Sequence, residues 1–412
     1  MAHQSLPPDE PRNERPAPVW ISKGTPAYRR AELALFLAGF ASFSLLYCVQ
    51  PLLPAFAATF NVTPAASSLA LSLTTGMLAV SILLGGAYSQ VLGRRGLMFA
   101  SMMLGALLNI VAAVMPDWHG LLIARALEGL VLGGVPAVAM AWLAEEIEPA
   151  HLGRTMGLYV AGTAFGGMAG RVGMGALTEF VSWRIALVAL GVLCLACAVG
   201  FILLLPRSRN FTPTRNLDPA FHLRAWGGHL WNRGLLRLYF IGFLLMSVFV
   251  TVFNYATFLL SEPPYELSQT QVSLIFLAYG FGIVSSGITG SLMVHFGARG
   301  VIACGFTLML AGTLLTLSVP LIGIIAGISV MTTGFFIGHA AASSSVGRLA
   351  TVYKGHAASL YLLFYYVGSS IVGSAGGWFW EHGGWSAIVA LTGGMSLAGA
   401  ALALAFRPRT QA

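Results

Sequence analysis

From Leu33 onward the chain is written in long apolar blocks separated by short polar or turn-forming punctuation. A helix needs about 20 apolar residues to cross roughly 30 Å of hydrocarbon. Blocks of that length fall at 33–58, 67–91, 97–115, 119–142, 154–177, 184–205, 236–260, 269–293, 300–318, 320–345, 355–378 and 384–406. The longest polar interruption, 206–235, divides these twelve spans six and six. The pattern predicts an all-α membrane protein with twelve transmembrane helices in two six-helix bundles. Residues 1–31 form an N-terminal tail, 32–205 the first bundle, 206–235 a central loop, 236–406 the second bundle and 407–412 a C-terminal tail.

Composition supports this reading. Of the 412 residues 57% are hydrophobic and only 9% charged, against roughly 25% charged in soluble domains, and the mean hydropathy is +0.80. Such a chain cannot cover a water-facing surface. The first 30 residues differ: six prolines, several charges and no apolar run predict a disordered tail. No short apolar stretch with a cleavage site follows, so no signal peptide is expected.

Charge placement supplies the orientation. With the N-terminus in the cytoplasm, 19 of the 22 Lys and Arg fall in the tails and inner connections, leaving Arg125, Arg171 and Arg184 elsewhere. The outer connections (59–66, 116–118, 178–183, 261–268, 319 and 379–383) hold no Lys or Arg, and they carry acids such as Asp117, Glu262 and Glu381. This asymmetry predicts that both termini are cytoplasmic. The net charge of +8 therefore needs no nucleic-acid partner; anionic inner-leaflet lipid attracts the same face. Cys48, Cys194, Cys197 and Cys304 all lie in apolar runs. Cys194 and Cys197 make a CxxC without a second Cys or His pair, so buried free thiols are expected, with no metal and no cofactor.

The halves repeat. Gly86 and Gly290, Gly93 and Gly297, and Arg95 and Arg299 lie 204 apart; Gly153 and Gly355, Tyr159 and Tyr361, Gly166 and Gly368, and Trp183 and Trp385 lie 202 apart. Two bundles of one design point to a transporter with its site between the halves near the midplane. The fifth span holds seven glycines from Gly157 to Gly175, which suits a helix packed closely on a neighbour or rocking against it.

A charge at the bilayer centre is expensive and is functional by default. Glu128 is the acid set deep within a span, three residues from Arg125 and so on the same helix face. The pair is either a proton-coupling group or a structural ion pair. Arg171, in the fifth span, either faces a cavity, where it would favour an anionic or carbonyl-bearing substrate, or bonds Glu128, Glu179 or backbone carbonyls.

Residues 30–406 resemble the major facilitator superfamily. Its second-to-third-helix loop looks like "GAYSQVLGRRG", with Gly86, Gly93, Arg94 and Arg95 in place and Gln90 where the family has Asp. Its fourth-helix R-x-x-x-G looks like Arg125 to Gly129. Its antiporter motif on the fifth helix looks like "GTAFGGMAGR": Gly162, Gly166 and Gly170 fit, Gly167 replaces a proline and Arg171 a glycine. The resemblance, closest to bacterial drug and sugar:proton antiporters of the arabinose-efflux-permease kind, implies a monomeric exporter in the bacterial inner membrane. It would exchange a drug, sugar or organic anion for protons.

The same resemblance makes the loop a cytoplasmic gate, with the acids of "AEEIEP" (Glu145, Glu146, Glu148) as partners for its arginines, and Gln90 weakening the family's charge relay; topology marking alone is the alternative. Spans one, four, seven and ten line the cavity in that family. This nominates Tyr47 and Gln50 beside the kinking Pro51 and Pro54, then Phe253, Asn254 and Tyr255, and His339 as a proton or substrate ligand or a packed neutral histidine. Tyr361, Tyr365 and Tyr366 are candidates for an aromatic wall. A facilitator or importer without proton coupling is the rival within transport. A receptor or enzyme is disfavoured because no HExxH and no GxxxxGK[ST] occurs.

Overall fold

The computed structural model describes residues 19–211 and 219–405, apart from the side chains of 86–92. The described chain is almost wholly helical: α1 (Pro26–Tyr47), α2 (Leu53–Phe60), α3 (Pro64–Leu92), α4 (Arg94–Val114), α5 (Trp118–Leu132), α6 (Gly134–Glu146), α7 (Leu152–Thr178), α8 (Trp183–Leu204), α9 (Pro219–Trp231), α10 (Arg233–Ser261), α11 (Gln269–Ser273), α12 (Tyr279–Leu315), α13 (Leu321–Leu349) and α14 (Lys354–Ala405).

Nine helical stretches among the described residues are long and apolar enough to cross a membrane. Two of them, Gln269–Leu315 and Lys354–Ala405, double back at Gly297 (φ 70°) and Gly384 (φ 57°) and so supply two crossings each. The 27-residue α7 has the length to cross but is diluted in hydropathy by its glycines. The expected count of twelve fits this arrangement.

Local chemistry sets the ends. Thr25, Thr63, Asp117 and Ser182 cap the N-termini of α1, α3, α5 and α8 by accepting a backbone N–H. The predicted kink in the first span is real. Pro51 lacks an N–H, so α1 stops at Tyr47, a 3₁₀ turn covers Gln50–Leu52 and the helix resumes as α2.

The two halves share one packing plan. α1 lies along α7 in the first, α10 along α14 in the second. Gly166 of α7 sits against the carbonyl of Phe40, and Gly368 of α14 against the carbonyl of Phe243, each where a Cβ would collide. Gly93 (φ 79°, ψ 143°) and Gly297 (φ 70°, ψ 160°) make the same reversal at equivalent points. Any other L-residue would be strained there, which explains why the repeat keeps glycine at both. Between the halves, α3 packs on α14 and α7 on α11.

Four expectations need correction. Residues 19–25 are not free tail: Ile21 bridges to Ile147, donating to the Glu146 carbonyl (2.8 Å) and accepting from the Glu148 N–H (3.3 Å). The first helix begins at Pro26, seven residues early, because Thr25 and Pro26 are a ready-made cap and first turn. The central loop holds α9, whose buried Ala225 and His229 lie four residues apart on one face. Cys304 is exposed, since an apolar span shows one face to lipid, while Cys48, Cys194 and Cys197 are buried free thiols. The tail expectations for 1–18 and 407–412 lie outside the described residues.

Candidate functional site

Among the described residues, hydrogen bonds between the halves run from the centre of the bundle to the end carrying 61–63 and 262–268. Near the centre Gln50 Nε2 donates to Asn254 Oδ1 (2.7 Å), and the Ser369 and Thr75 hydroxyls lie 3.4 Å apart. Further out, Ser68 meets Ser374, Gln269 donates to the Pro51 carbonyl, and Ser273 reaches the Val172 carbonyl. At the rim Thr270 N donates to the Glu179 carboxylate (3.1 Å). That bond holds the exposed Glu179 carboxyl below the usual carboxylate range. At this end the halves are shut on each other.

Two fully buried arginines stand near the centre, and their surroundings differ. The kink at Pro51 leaves carbonyls at the end of α1 without helical donors. Arg125 supplies them: its Nη1 donates to the Leu45 carbonyl (3.2 Å), its Nη2 to that of Leu46 (3.0 Å), and its Nε to that of Ala70 on α3 (3.2 Å). Its Nη1 also pairs with Glu128 Oε2 at 2.6 Å. Every guanidinium nitrogen is engaged, and α1, α3 and α5 are tied together within the first half. Glu128 Oε1 has no partner.

Arg171 pairs with neither Glu128 nor Glu179. Its Nε donates to Gln50 Oε1 (2.6 Å) and its Nη1 to the Gly167 carbonyl (2.7 Å), while Nη2 has no partner. Its guanidinium lies 4.0 Å from the Tyr47 ring centre, 4.8 Å from that of Tyr279 and 5.2 Å from that of Phe276. Rings at these distances stabilise a cation through their quadrupoles without neutralising it.

The amide orientations follow from the arginine. Nε can only donate, so Gln50 turns its oxygen to Arg171 and its NH₂ to the other half. Asn254 must then present Oδ1, which leaves its fully buried Nδ2 unpartnered. Gln50 and Asn254 are 204 residues apart, the offset of the repeat. They are equivalent residues meeting across the pseudo-twofold axis. The equivalent of Arg171, by the offset of 202, is Gly373, where a side chain would begin beside Asn254 Nδ2 and Ser72 Oγ. The cation therefore has no twin.

The remaining candidates are distributed as follows. His339 Nδ1 is 2.9 Å from the Tyr361 hydroxyl, and the ring stacks on Phe335 and leans on Tyr365. Phe253 stacks on Phe276. Tyr255 donates to the Gly373 carbonyl (3.0 Å). Tyr365 and Tyr366 are buried and edge-on to each other. At the opposite end Arg94 forms a two-pronged pair with Glu145, and Arg95 reaches the Ile202 carbonyl. Glu146 instead accepts from the backbone N–H groups of Arg209 and Asn210 (2.9 and 3.0 Å). The surroundings of Gly86 and the Gln90 side chain lie outside what is described. Of the fifth-span glycines, Gly162, Gly166 and Gly170 meet α1, and Gly167 lies under Arg171. Sequence reasoning missed Phe276 and Tyr279 of the eighth span and the hydroxyl run Ser67–Thr75 of α3. The run "SSLALSLTT" was a usable signal, because small hydroxyls mark close helix contacts.

A family model of the Major Facilitator Superfamily matches residues 35–267. The Bacillus subtilis (strain 168) MFS-type transporter YybF is 44% identical over 373 residues, covering 90% of this chain and 92% of its own length. The Escherichia coli (strain K12) inner membrane transport protein YnfM is 43% identical over 369 residues, covering 90% and 88%. Among solved structures, the nucleoside transporter NupG superposes with a TM-score of 0.75 at 14% identity over 92% of this chain and all of its own. A bacterial homologue of the human lysosomal transporter Spinster, inward-facing and occupied, gives 0.74 at 13% over 93% and 97%.

Proposed function

Since the chain belongs to the Major Facilitator Superfamily and is a multi-pass membrane transporter rather than an enzyme, we propose that it exports a small molecule by alternating access, coupled to proton entry. The observation that carries this reading is the Gln50–Asn254 bond, which joins equivalent residues of two like bundles on their pseudo-axis. Rocking the bundles about this point would open one end as it closes the other.

The basic end is read as cytoplasmic, which puts both termini inside the cell and makes the closed end external. The bundles that rock are 32–205 and 236–406, joined by 206–235, in a monomer of the bacterial inner membrane. The conformation described is then one closed to the outside. Arg94 with Glu145 braces the first bundle at the cytoplasmic end. For proton coupling the fitting group is Glu128, whose free oxygen Oε1 lies in the membrane beside Arg125.

The test is a growth screen of overexpressing cells against toxic compounds, followed by transport of any hit in membrane vesicles. Resistance should vanish with an uncoupler. Glu128→Gln should still exchange substrate down its gradient but fail to accumulate it. Resistance undiminished by the uncoupler would assign the protein to facilitated transport instead.

A further inference from the structure

We propose that the central site takes a small organic carboxylate, held by Arg171 Nη2 and Asn254 Nδ2 on either side of Gln50; this rests on the transport reading above. Polar groups buried in a membrane protein normally find partners. Around the Gln50–Asn254 contact the unpartnered groups include Arg171 Nη2, Asn254 Nδ2 and the hydroxyls of Ser72 and Thr251. Their residues are all essentially shut from solvent. The two nitrogens can only donate, and the hydroxyls can donate or accept. What these two nitrogens call for is an acceptor.

Its charge agrees. Glu128 is the fully buried acid at this depth, and it is taken by Arg125. Arg171 has no carboxylate against its guanidinium. A cationic substrate would have to approach that charge, and the faces of Tyr47, Tyr279 and Phe276 are already turned to the guanidinium. A neutral sugar would leave it unneutralised. A carboxylate supplies one charge and two acceptor oxygens for two donors, a geometry in which charge-assisted bonds are strongest. The rings and the nearby Phe253 favour an apolar or aromatic body on that carboxylate.

Asymmetry carries the argument further. The repeat places Gly373 where the first half has Arg171, and this leaves Asn254 without the partner that Gln50 enjoys. One half thus offers a charged donor and the other a neutral one, each on a residue joined to Gln50. This marks Asn254 as the residue that distinguishes a carboxylate from a neutral group of the same shape.

The experiment uses the full-length protein in detergent or nanodiscs, with thermal stability read against benzoate, phenylacetate and hexanoate. Benzamide is the neutral match and tetraphenylphosphonium the cation. At least one carboxylate should stabilise the protein saturably, and benzamide and the cation should not. Asn254→Asp keeps the oxygen that accepts from Gln50, so it should fold, yet it replaces the donor with a charge that pairs Arg171. Its carboxylate affinity should fall by about tenfold or more, as loss of a charge-assisted contact implies. Arg171→Gln should lose binding as well; should it fail to fold, Asn254→Asp still decides. Stabilisation by none of the three carboxylates, equal stabilisation by benzamide, or unchanged affinity in Asn254→Asp would each overturn the proposal. Binding in this assay needs no transport, so carboxylate binding without flux would sink the transport reading alone.

Discussion

Arg125 and Arg171 carry the same charge and the same full burial, but their partners assign them different roles. Arg125 satisfies three carbonyls and a carboxylate at the broken end of α1. Removing it strands those groups in a dry interior, and breaking one side of a buried pair costs about 3–5 kcal/mol. Arg125→Ala is therefore expected to lose that much stability, read as a large drop in thermal midpoint and in yield of monodisperse protein. Arg171→Gln removes an uncompensated charge and leaves an amide able to donate to Gln50, so its expected cost is about 1 kcal/mol. If both variants unfolded alike, the contrast between a structural and a functional arginine would fail. From sequence the burial and charge of both are legible, but most of their acceptors are not. Pairing of Arg125 with Glu128 was readable from their spacing of three. The Arg171–Gln50 contact, 121 residues apart, was not.

At the scale of elements, close approach governs. α7 meets α1, and α14 meets α10, through a glycine laid on a carbonyl at equivalent positions. Gly166→Val and Gly368→Val should each cost about 1–3 kcal/mol by overpacking, as thermal midpoints of the two variants would reveal. A stable Gly166→Val variant would show that α7 has room to shift, against the packing described. Periodicity and length located the spans, and Pro51 marked the kink, because those signals are local. The ends slipped where a local cap outweighed the apolar pattern, as at Thr25 and Pro26. α9 escaped notice because it is short, lies in a polar stretch and gains its order by packing against the 350–353 connection, where His229 lies 3.3 Å from the Tyr353 carbonyl.

For the whole molecule, the balance between conformations rests on few bonds at the closed end. Gln269→Ala removes the bond to the Pro51 carbonyl, which as a neutral hydrogen bond contributes about 0.5–1.5 kcal/mol. It should shift the population toward the form parted at this end by a factor of about two to ten. Spin labels at Ala58 and Glu262, exposed residues on opposite halves, would report this as a longer distance component. The Glu179–Thr270 contact adds a pH dependence. Its depressed carboxyl stabilises closure fully above the pKa of the parted state, about 4.3, and that contribution is lost as pH falls through the depressed value. The labelled pair should therefore open more at about pH 3.5 than at 7, and Glu179→Gln should abolish the difference.

Sequence alone determined the class of this protein: the lipid-soluble composition, the number of crossings, the two-fold repeat and the concentration of basic residues at one end. Each of these is a property summed along the chain or compared between positions at a constant offset, so no three-dimensional knowledge enters. Tertiary structure decided how the polar residues were shared out. It placed Gln50 on Asn254 and set Arg171 against Gln50 with one nitrogen to spare. Hydrogen-bond satisfaction is a matter of a few tenths of an ångström between segments far apart in the chain, and only the assembled bundles bring those segments together.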